Sequence, residues 1–507
     1  MSSGAVETRA AKVAFASGLS TFLSVALQLL SVPVCLRYWG NETYGLWLAL
    51  FSLFNVLRTL DGGYSAYVGN ELNLLYHRDP DALRKTLASG IAGATVLGVG
   101  QLAAAIAIAA SGRLPDLLGV APEVARDQRA GLALAVMVVG WALTGPYLGI
   151  VHRLQVPAGL LHQATWWLMG FQIAQAAALV CAAVLRLEIS GAAVLMSAAQ
   201  VGVYLATAVY VARKLPRFFP WWKGPSWSHG LRDLYRSTAL VGANVLIQVG
   251  TSGVVMLISS GLSAAAVPAF TTVRTVANMW TSLGNALVSP MLPEIVRYHA
   301  LRDGKKLVAA VEAYWLIANN VMNLSVLVCF PFFGPLYHRW TGGKVELDES
   351  LLCYLLLSVV AATPLALITN YLVGINEMRA TAAIYAARGL VPIAAGLALL
   401  PSFGMAGVGV AIVLGEIIGP IGCGLPYFRK QLRRLGEVPA IPAWQPTLAG
   451  SASVAVFLLA RAIDSPFADA AYVLAFAGAV ASAVWSWHRV GADVRQRALR
   501  LLRRSAS

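Results

Sequence analysis

The chain has 507 residues, of which 58% are hydrophobic and only 12% charged, and it carries a net charge of +15. A soluble domain holds about 25% charged residues, so the composition excludes a water-soluble fold and defines a polytopic membrane protein. The basic excess is topological rather than a nucleic-acid footprint, because Lys and Arg collect in the cytoplasmic loops of membrane proteins, and no nucleic-acid partner is expected.

In chain order, Arg9 and Lys12 precede an apolar run at 13–36, which is too long for a signal peptide and reads as a retained first helix. Further apolar segments follow at 44–68, 87–110, 130–151, 164–185, 190–212, 237–260, 265–289, 307–333, 350–373, 380–400, 404–427, 446–463 and 468–488. About fourteen membrane helices are therefore expected, since ~20 apolar residues span a bilayer. Placing the N-terminus in the cytoplasm puts most of the 38 Lys and Arg on that side. An even helix count with both termini cytoplasmic follows.

The longest cytoplasmic connection is basic and aromatic: Leu215-Pro-Arg-Phe-Phe-Pro-Trp-Trp-Lys. It divides the first twelve helices into an N-terminal lobe (1–212), a linker (213–236) and a C-terminal lobe (237–428), leaving two further helices and a basic tail at 429–507. The two halves repeat at the level of hydropathy, as parallel-repeat transporters do. The expected architecture is all-α, with two six-helix lobes around a central cavity and two peripheral helices. Arg495–Arg504 reads either as an amphipathic helix on the anionic inner leaflet or as a plain orienting tail. The five cysteines have no C-x-x-C or metal spacing and read as small apolar residues. No metal or cofactor is expected.

Ionisable residues inside the spans are costly and point to function. Arg58 and Asp61 lie three apart in the second segment, near its cytoplasmic end. Arg274 lies about 14 Å into the eighth segment at ~1.5 Å per residue. Arg388 and Glu416 fall at similar depth on consecutive antiparallel helices. One reading is a cationic cavity receiving an anionic group, since the Arg fork binds phosphate bidentately. The other is that Arg388–Glu416 and Arg58–Asp61 are ion pairs locking helices together, and snorkelling of Arg58 to the surface is a third. Segments seven and eight contain no acid, which makes Arg274 the leading substrate contact. Asn278 shares its face, four residues on. Asn244, Gln248, Asn285, Asn319, Asn320 and Asn370 either line a sugar site or hydrogen-bond between helices.

Two stretches carry a family resemblance. L-R-Y-x-G-x-E-x-Y-G-L-W at Leu36–Trp47, followed by L-D-G-G at Leu60–Gly63, resembles the first hairpin of polysaccharide-repeat flippases of the multidrug/oligosaccharidyl-lipid/polysaccharide exporter superfamily. T-V-R-T-V-A-N…S-P-M-L-P-E within Thr272–Glu294 resembles their eighth helix. The resemblance implies a secondary transporter of the bacterial inner membrane. Its substrate would be an undecaprenyl-pyrophosphate-linked oligosaccharide for surface polysaccharides such as lipopolysaccharide or exopolysaccharide. Arg274, Arg388 and Arg58 would hold the pyrophosphate. Glu416 or Asp61 would carry a coupling ion, H+ or Na+. Membrane lipids and other polysaccharide-assembly proteins are the implied partners.

No P-loop, H-E-x-x-H or G-x-S-x-G motif is present, so an enzyme is not expected. A multidrug exporter of the same fold would want acidic, aromatic surroundings, against the cationic bias here. A peptidoglycan-precursor flippase shares the chemistry. A membrane glycosyltransferase or polymerase would want a large outer loop, whereas the longest outer connection here is 111–129, without a histidine.

Overall fold

The fold is described from a computed structural model over residues 3–76, 78–288, 291–375, 377–437 and 445–489. The C-terminal tail at 495–504 lies outside these residues. The described elements are all helical: α1 (Ser3–Arg58), α2 (Leu60–Leu75), α3 (Pro80–Ala110), α4 (Leu114–Leu118), α5 (Pro122–Asp127), α6 (Ala130–Ala142), α7 (Gly145–Leu154), α8 (Leu161–Val184), α9 (Ile189–Lys214) and α10 (Trp227–Gln248). They continue with α11 (Val254–Gly261), α12 (Val267–Val288), α13 (Leu292–Ala300), α14 (Gly304–Cys329), α15 (Phe333–Thr341), α16 (Glu349–Gly374), α17 (Met378–Ile417), α18 (Leu425–Arg434), α19 (Gln445–Ala462) and α20 (Ala468–Arg489). No strand occurs among the described residues.

Two runs are too long to be single crossings. The run Gly18–Leu75 has 58 residues, about 87 Å if straight, nearly three times the ~30 Å hydrocarbon core of a bilayer. Gly40 (φ 73°) breaks α1 between the first two expected segments, 13–36 and 44–68, and Gly404 (φ 55°) breaks α17 where the eleventh (380–400) gives way to the twelfth (404–427). Both angles lie in the left-handed region that glycine enters without a Cβ penalty. Ten helical runs are long and apolar enough to cross a membrane. With each of the two broken runs counted twice, and with α12 and α19 added, the described residues accommodate the expected number of about fourteen. Large apolar side chains stand uncovered along these runs, among them Val99, Ile106, Leu205, Leu397 and Leu474. Such surface suits lipid and would be a liability in water.

The chain forms two compact units: Met1–Thr271 with Trp340–Val345, and Thr272–Arg339 with Glu346–Ser507. The basic linker and α10–α11 group with the first unit, and the border falls within α12. In the first unit, Tyr64, Leu72, Leu83, Leu87, Ile150, Leu154, Val211 and Phe218 form a buried core. The returning segment 340–345 is tied in by Trp340 Nε1 donating to Leu29 O (2.7 Å) and Lys344 Nζ to Leu36 O (3.1 Å).

In the second unit, Tyr314, Leu367, Tyr371, Ile384, Phe428 and Leu432 form the core. The last two helices are pinned by polar contacts inside the span. Asn320 Nδ2 donates to Ser486 Oγ (2.8 Å), Ser482 Oγ donates to Asn320 Oδ1 (2.8 Å), and Asn323 Nδ2 donates to Ser451 Oγ (3.0 Å). At the opposite end Arg461 makes a two-point ion pair with Glu349, at 2.6 and 3.2 Å. Asn320 therefore serves helix association, one of the two readings its sequence left open. The five cysteines are free.

Candidate functional site

In the first unit the site is built where α1 gives way to α2. The Thr59 hydroxyl donates to Asn55 O (2.6 Å), and the backbone tightens to i→i−3 bonds at Thr59 and Gly62. Back-bonding of this kind bends helices. Arg58 thereby ends α1, and Asp61 sits in the first turn of α2, where the helix dipole favours an anion.

Asp61 is 3% exposed. Its Oδ1 accepts from Gln101 Nε2 (3.0 Å, α3) and from Trp141 Nε1 (3.2 Å, α6). The structure gives Asp61 these neutral donors in place of an ion pair with Arg58. The Arg58 guanidinium lies 5.2 Å from the Trp141 ring and 5.7 Å from that of Phe54, within cation–π range.

Trp141 takes this place because α6 ends just beyond it. Thr144 leaves the helical region (φ −132°, ψ −50°), and a Cβ on Gly145 would lie 2.3 Å from the Trp141 ring. Tyr204 on α9 stands edge-on to Trp141 (6.3 Å) and stacks on Phe171 (5.3 Å). Above it Trp47, Phe51 and Phe54 continue the aromatic row along α1. Two buried acceptors, Asn55 Oδ1 and Gln101 Oε1, have no hydrogen-bond partner. The arrangement can hold one negative charge in neutral hydrogen bonds and one positive charge against rings, with acceptors to spare.

The second unit carries the other charges. Arg388 Nε donates to Glu416 Oε2 at 2.9 Å, and a terminal guanidinium nitrogen makes a closer contact with the same oxygen. Their side chains are 26% and 25% exposed. The pair joins the two limbs of α17 across the Gly404 break, and a π-helical turn, Ile418–Gly424, begins two residues after Glu416. Such turns recur at functional sites.

Arg274 lies on α12, half-buried, and Asn278 is exposed four residues further on. On the same helix Thr272 shares a hydrogen bond with the Tyr337 hydroxyl (2.6 Å), and Trp280 Nε1 donates to Ser325 Oγ (3.0 Å). The sequence-derived residues thus fall in two groups: Arg58 and Asp61 in the first unit, and Arg274, Asn278, Arg388 and Glu416 in the second.

Sequence reasoning missed Gln101 and Trp141. Gln101 had a signal, as a lone amide amid Ala and Gly in a span. Outside the spans, burial raises the Asp233 carboxyl above the ordinary range. Glu71 adds to that rise, while His229, Arg236 and Arg232 oppose it. His229 Nε2 stands 3.5 Å from Asp233 Oδ2.

No protein-family model and no curated protein sequence matches this chain. Solved structures do match in fold. An inward-facing conformation of a multidrug resistance MATE family transporter of the MOP superfamily is 16% identical, covers 82% of this chain and 96% of its own, and has a TM-score of 0.62. The lipid II flippase MurJ in an inward closed conformation is 12% identical over 92% of this chain and 97% of its own, with a TM-score of 0.62. A MOP superfamily transporter from Pyrococcus furiosus, described as having a binding pocket of reversed polarity, is 15% identical over 84% and 96%, with a TM-score of 0.51. The chain is an all-α polytopic membrane protein with the fold of MOP-superfamily transporters.

Proposed function

We propose that this chain is a secondary transporter that flips an undecaprenyl-pyrophosphate-linked oligosaccharide across the bacterial cytoplasmic membrane. Its two halves would alternate in access, and the product would serve cell-surface polysaccharide synthesis. The observation that carries this reading is the cationic character of the intramembrane ionisable residues, on a fold shared with a lipid-linked-precursor flippase and with multidrug transporters. Arg274 falls near the middle of its expected span and Arg58 near the cytoplasmic end of its own, and a cation within a span suits an anionic cargo. A pyrophosphate meets the bidentate donor pattern of guanidinium.

Arg274, with Asn278 beside it, contacts the headgroup. Arg388 is a second contact when its pair with Glu416 opens, and Arg58 a third. Asp61 is the better candidate for a coupling H+ or Na+, because it is buried and accepts its hydrogen bonds from neutral donors, whereas Glu416 is directly paired with Arg388. The lipid tail stays in the bilayer while the sugar passes. Export of peptidoglycan precursor is the second reading, supported by the coverage of the lipid II flippase across nearly the whole chain.

The test is a leaflet assay in vesicles carrying the purified chain and the lipid-linked oligosaccharide. Arg274→Gln removes a charge-assisted contact worth about 1.5–3 kcal/mol. The rate is expected to fall at least about ten-fold, with Arg274→Lys recovering part of it. An unchanged rate in Arg274→Gln, with normal insertion, removes Arg274 from the substrate path.

A further inference from the structure

The linker at 213–236 plays no part in the function proposed above, yet it is built rather than loose. Beyond the last turn of α9, which carries Arg213 and Lys214, the chain makes a short 3-10 turn, Pro216–Phe218, and then a segment ending at α10. Phe218 and Trp221 are buried. Arg84 on α3 grips the segment, donating from Nε (3.2 Å) and a terminal nitrogen (2.8 Å) to Arg217 O. Ser226 N donates to Ser89 Oγ (3.0 Å), and Thr86 Oγ1 meets His229 Nε2 (3.3 Å). The linker is thus fastened along one flank of α3.

Between these fastenings lies a pocket of about 280 Å³, lined by Arg84, Arg217, Phe218, Phe219, Pro220, Trp221 and Lys223. Three of the lining side chains are cationic and none is acidic. The Arg217 guanidinium carbon lies over two rings, 4.7 Å from the Tyr76 centroid and 4.5 Å from that of Phe218. A fork pinned in this way loses little rotamer freedom on meeting an oxyanion. Of the large side chains here, Phe219 in the pocket wall and Trp222 next in the chain are exposed, and so are Trp227, Leu231 and Tyr235, spaced four apart along α10. Exposed aromatic residues beside Lys and Arg mark the membrane–water interface. In the proposed orientation this interface is the cytoplasmic one, whose leaflet carries anionic lipid.

We infer that this pocket binds the phosphate of an anionic phospholipid headgroup from the adjoining leaflet. Arg217 and Lys223 engage the phosphate, and the exposed aromatic side chains enter the acyl boundary. The shared chemistry is a phosphate ester, which a soluble metabolite could also present. The aromatic rim argues for the lipid. The site does not depend on what the protein transports.

The full chain, purified in detergent, is tested by native mass spectrometry against phosphatidylglycerol, phosphatidylcholine and free glycerol phosphate. The chain should retain phosphatidylglycerol about ten-fold better than phosphatidylcholine. Arg217→Gln combined with Lys223→Gln should reduce that preference to about two-fold or less, given roughly five-fold per basic residue near an anionic surface. Lys223→Gln alone, at an exposed side chain with no packing to lose, should give an intermediate value. Arg126→Gln, in the outer connection, should change nothing. An undiminished preference in the double variant overturns the site. So does a full loss in Arg126→Gln. Displacement of the lipid by glycerol phosphate at equal concentration overturns the lipid as its source.

Discussion

Glu416→Ala is expected to destabilise the protein by about 3 kcal/mol. A buried ion pair broken from one side costs about 3–5 kcal/mol, because the surviving charge is left without a partner. The lower end applies here, since each side chain is about a quarter exposed and exposed pairs are worth less. Arg388 has both its Nε and a terminal nitrogen on one Glu416 oxygen, so the loss falls on the whole fork. The apparent melting midpoint in detergent should drop by roughly 5 °C or more.

The companion variant separates lock from site. Arg388→Met with Glu416→Met replaces the pair with apolar side chains of similar length, which often restores stability. If the pair only joins the limbs of α17, the double variant recovers both midpoint and transport. If Arg388 also receives the substrate, the double variant recovers the midpoint and stays slow. An unchanged midpoint in Glu416→Ala contradicts the structural account of the pair.

Asp61→Ala has the second large effect, again about 3 kcal/mol. The substitution strands two donors, Gln101 Nε2 and Trp141 Nε1, in a place with little water. Each unsatisfied buried group costs about 1–3 kcal/mol. Asp61→Asn keeps the volume and an acceptor oxygen, and should lose only about 1 kcal/mol. That variant reports on coupling. It cannot exchange a proton at this position, so its transport should no longer respond to an imposed pH or Na+ gradient while its fold survives. A gradient response equal to that of the native chain in Asp61→Asn removes Asp61 as the coupling group. A midpoint unchanged in Asp61→Ala contradicts the hydrogen bonds to Gln101 and Trp141.

The two results differ in how far the sequence foretold them. Depth along a helix is additive in residues, so counting from the span ends brought Arg388 and Glu416 to one height, and the structure joins them. The same counting says nothing about rotation. Asp61 could therefore be assigned to a face of its helix but not to its neighbours, and Gln101 and Trp141 lie 40 and 80 residues away on other helices. Apolar segments surrounded by lipid also lose the polar face that sets rotation in soluble helices.

Span number was legible because it depends on length alone, and the breaks at Gly40 and Gly404 were visible as the interruptions that length demands. The asparagines were harder to read. Asn320 and Asn323 meet serines of α19 and α20, and a lone amide in a span carries no sign of whether it faces a helix or a sugar. The grouping of α10 and α11 with the first unit was likewise illegible, since hydropathy marks where a chain crosses and not which helices it packs against.

The most direct measurement of the central claim uses the native chain in vesicles and compares three cargoes: an undecaprenyl-pyrophosphate-linked oligosaccharide, the same glycolipid with a neutral linkage, and an organic cation. Rapid leaflet exchange of the first is expected, with at least about ten-fold slower exchange of the second and no uptake of the third. Uptake of the cation with no movement of the pyrophosphate-linked lipid, in a folded preparation, would contradict the claim.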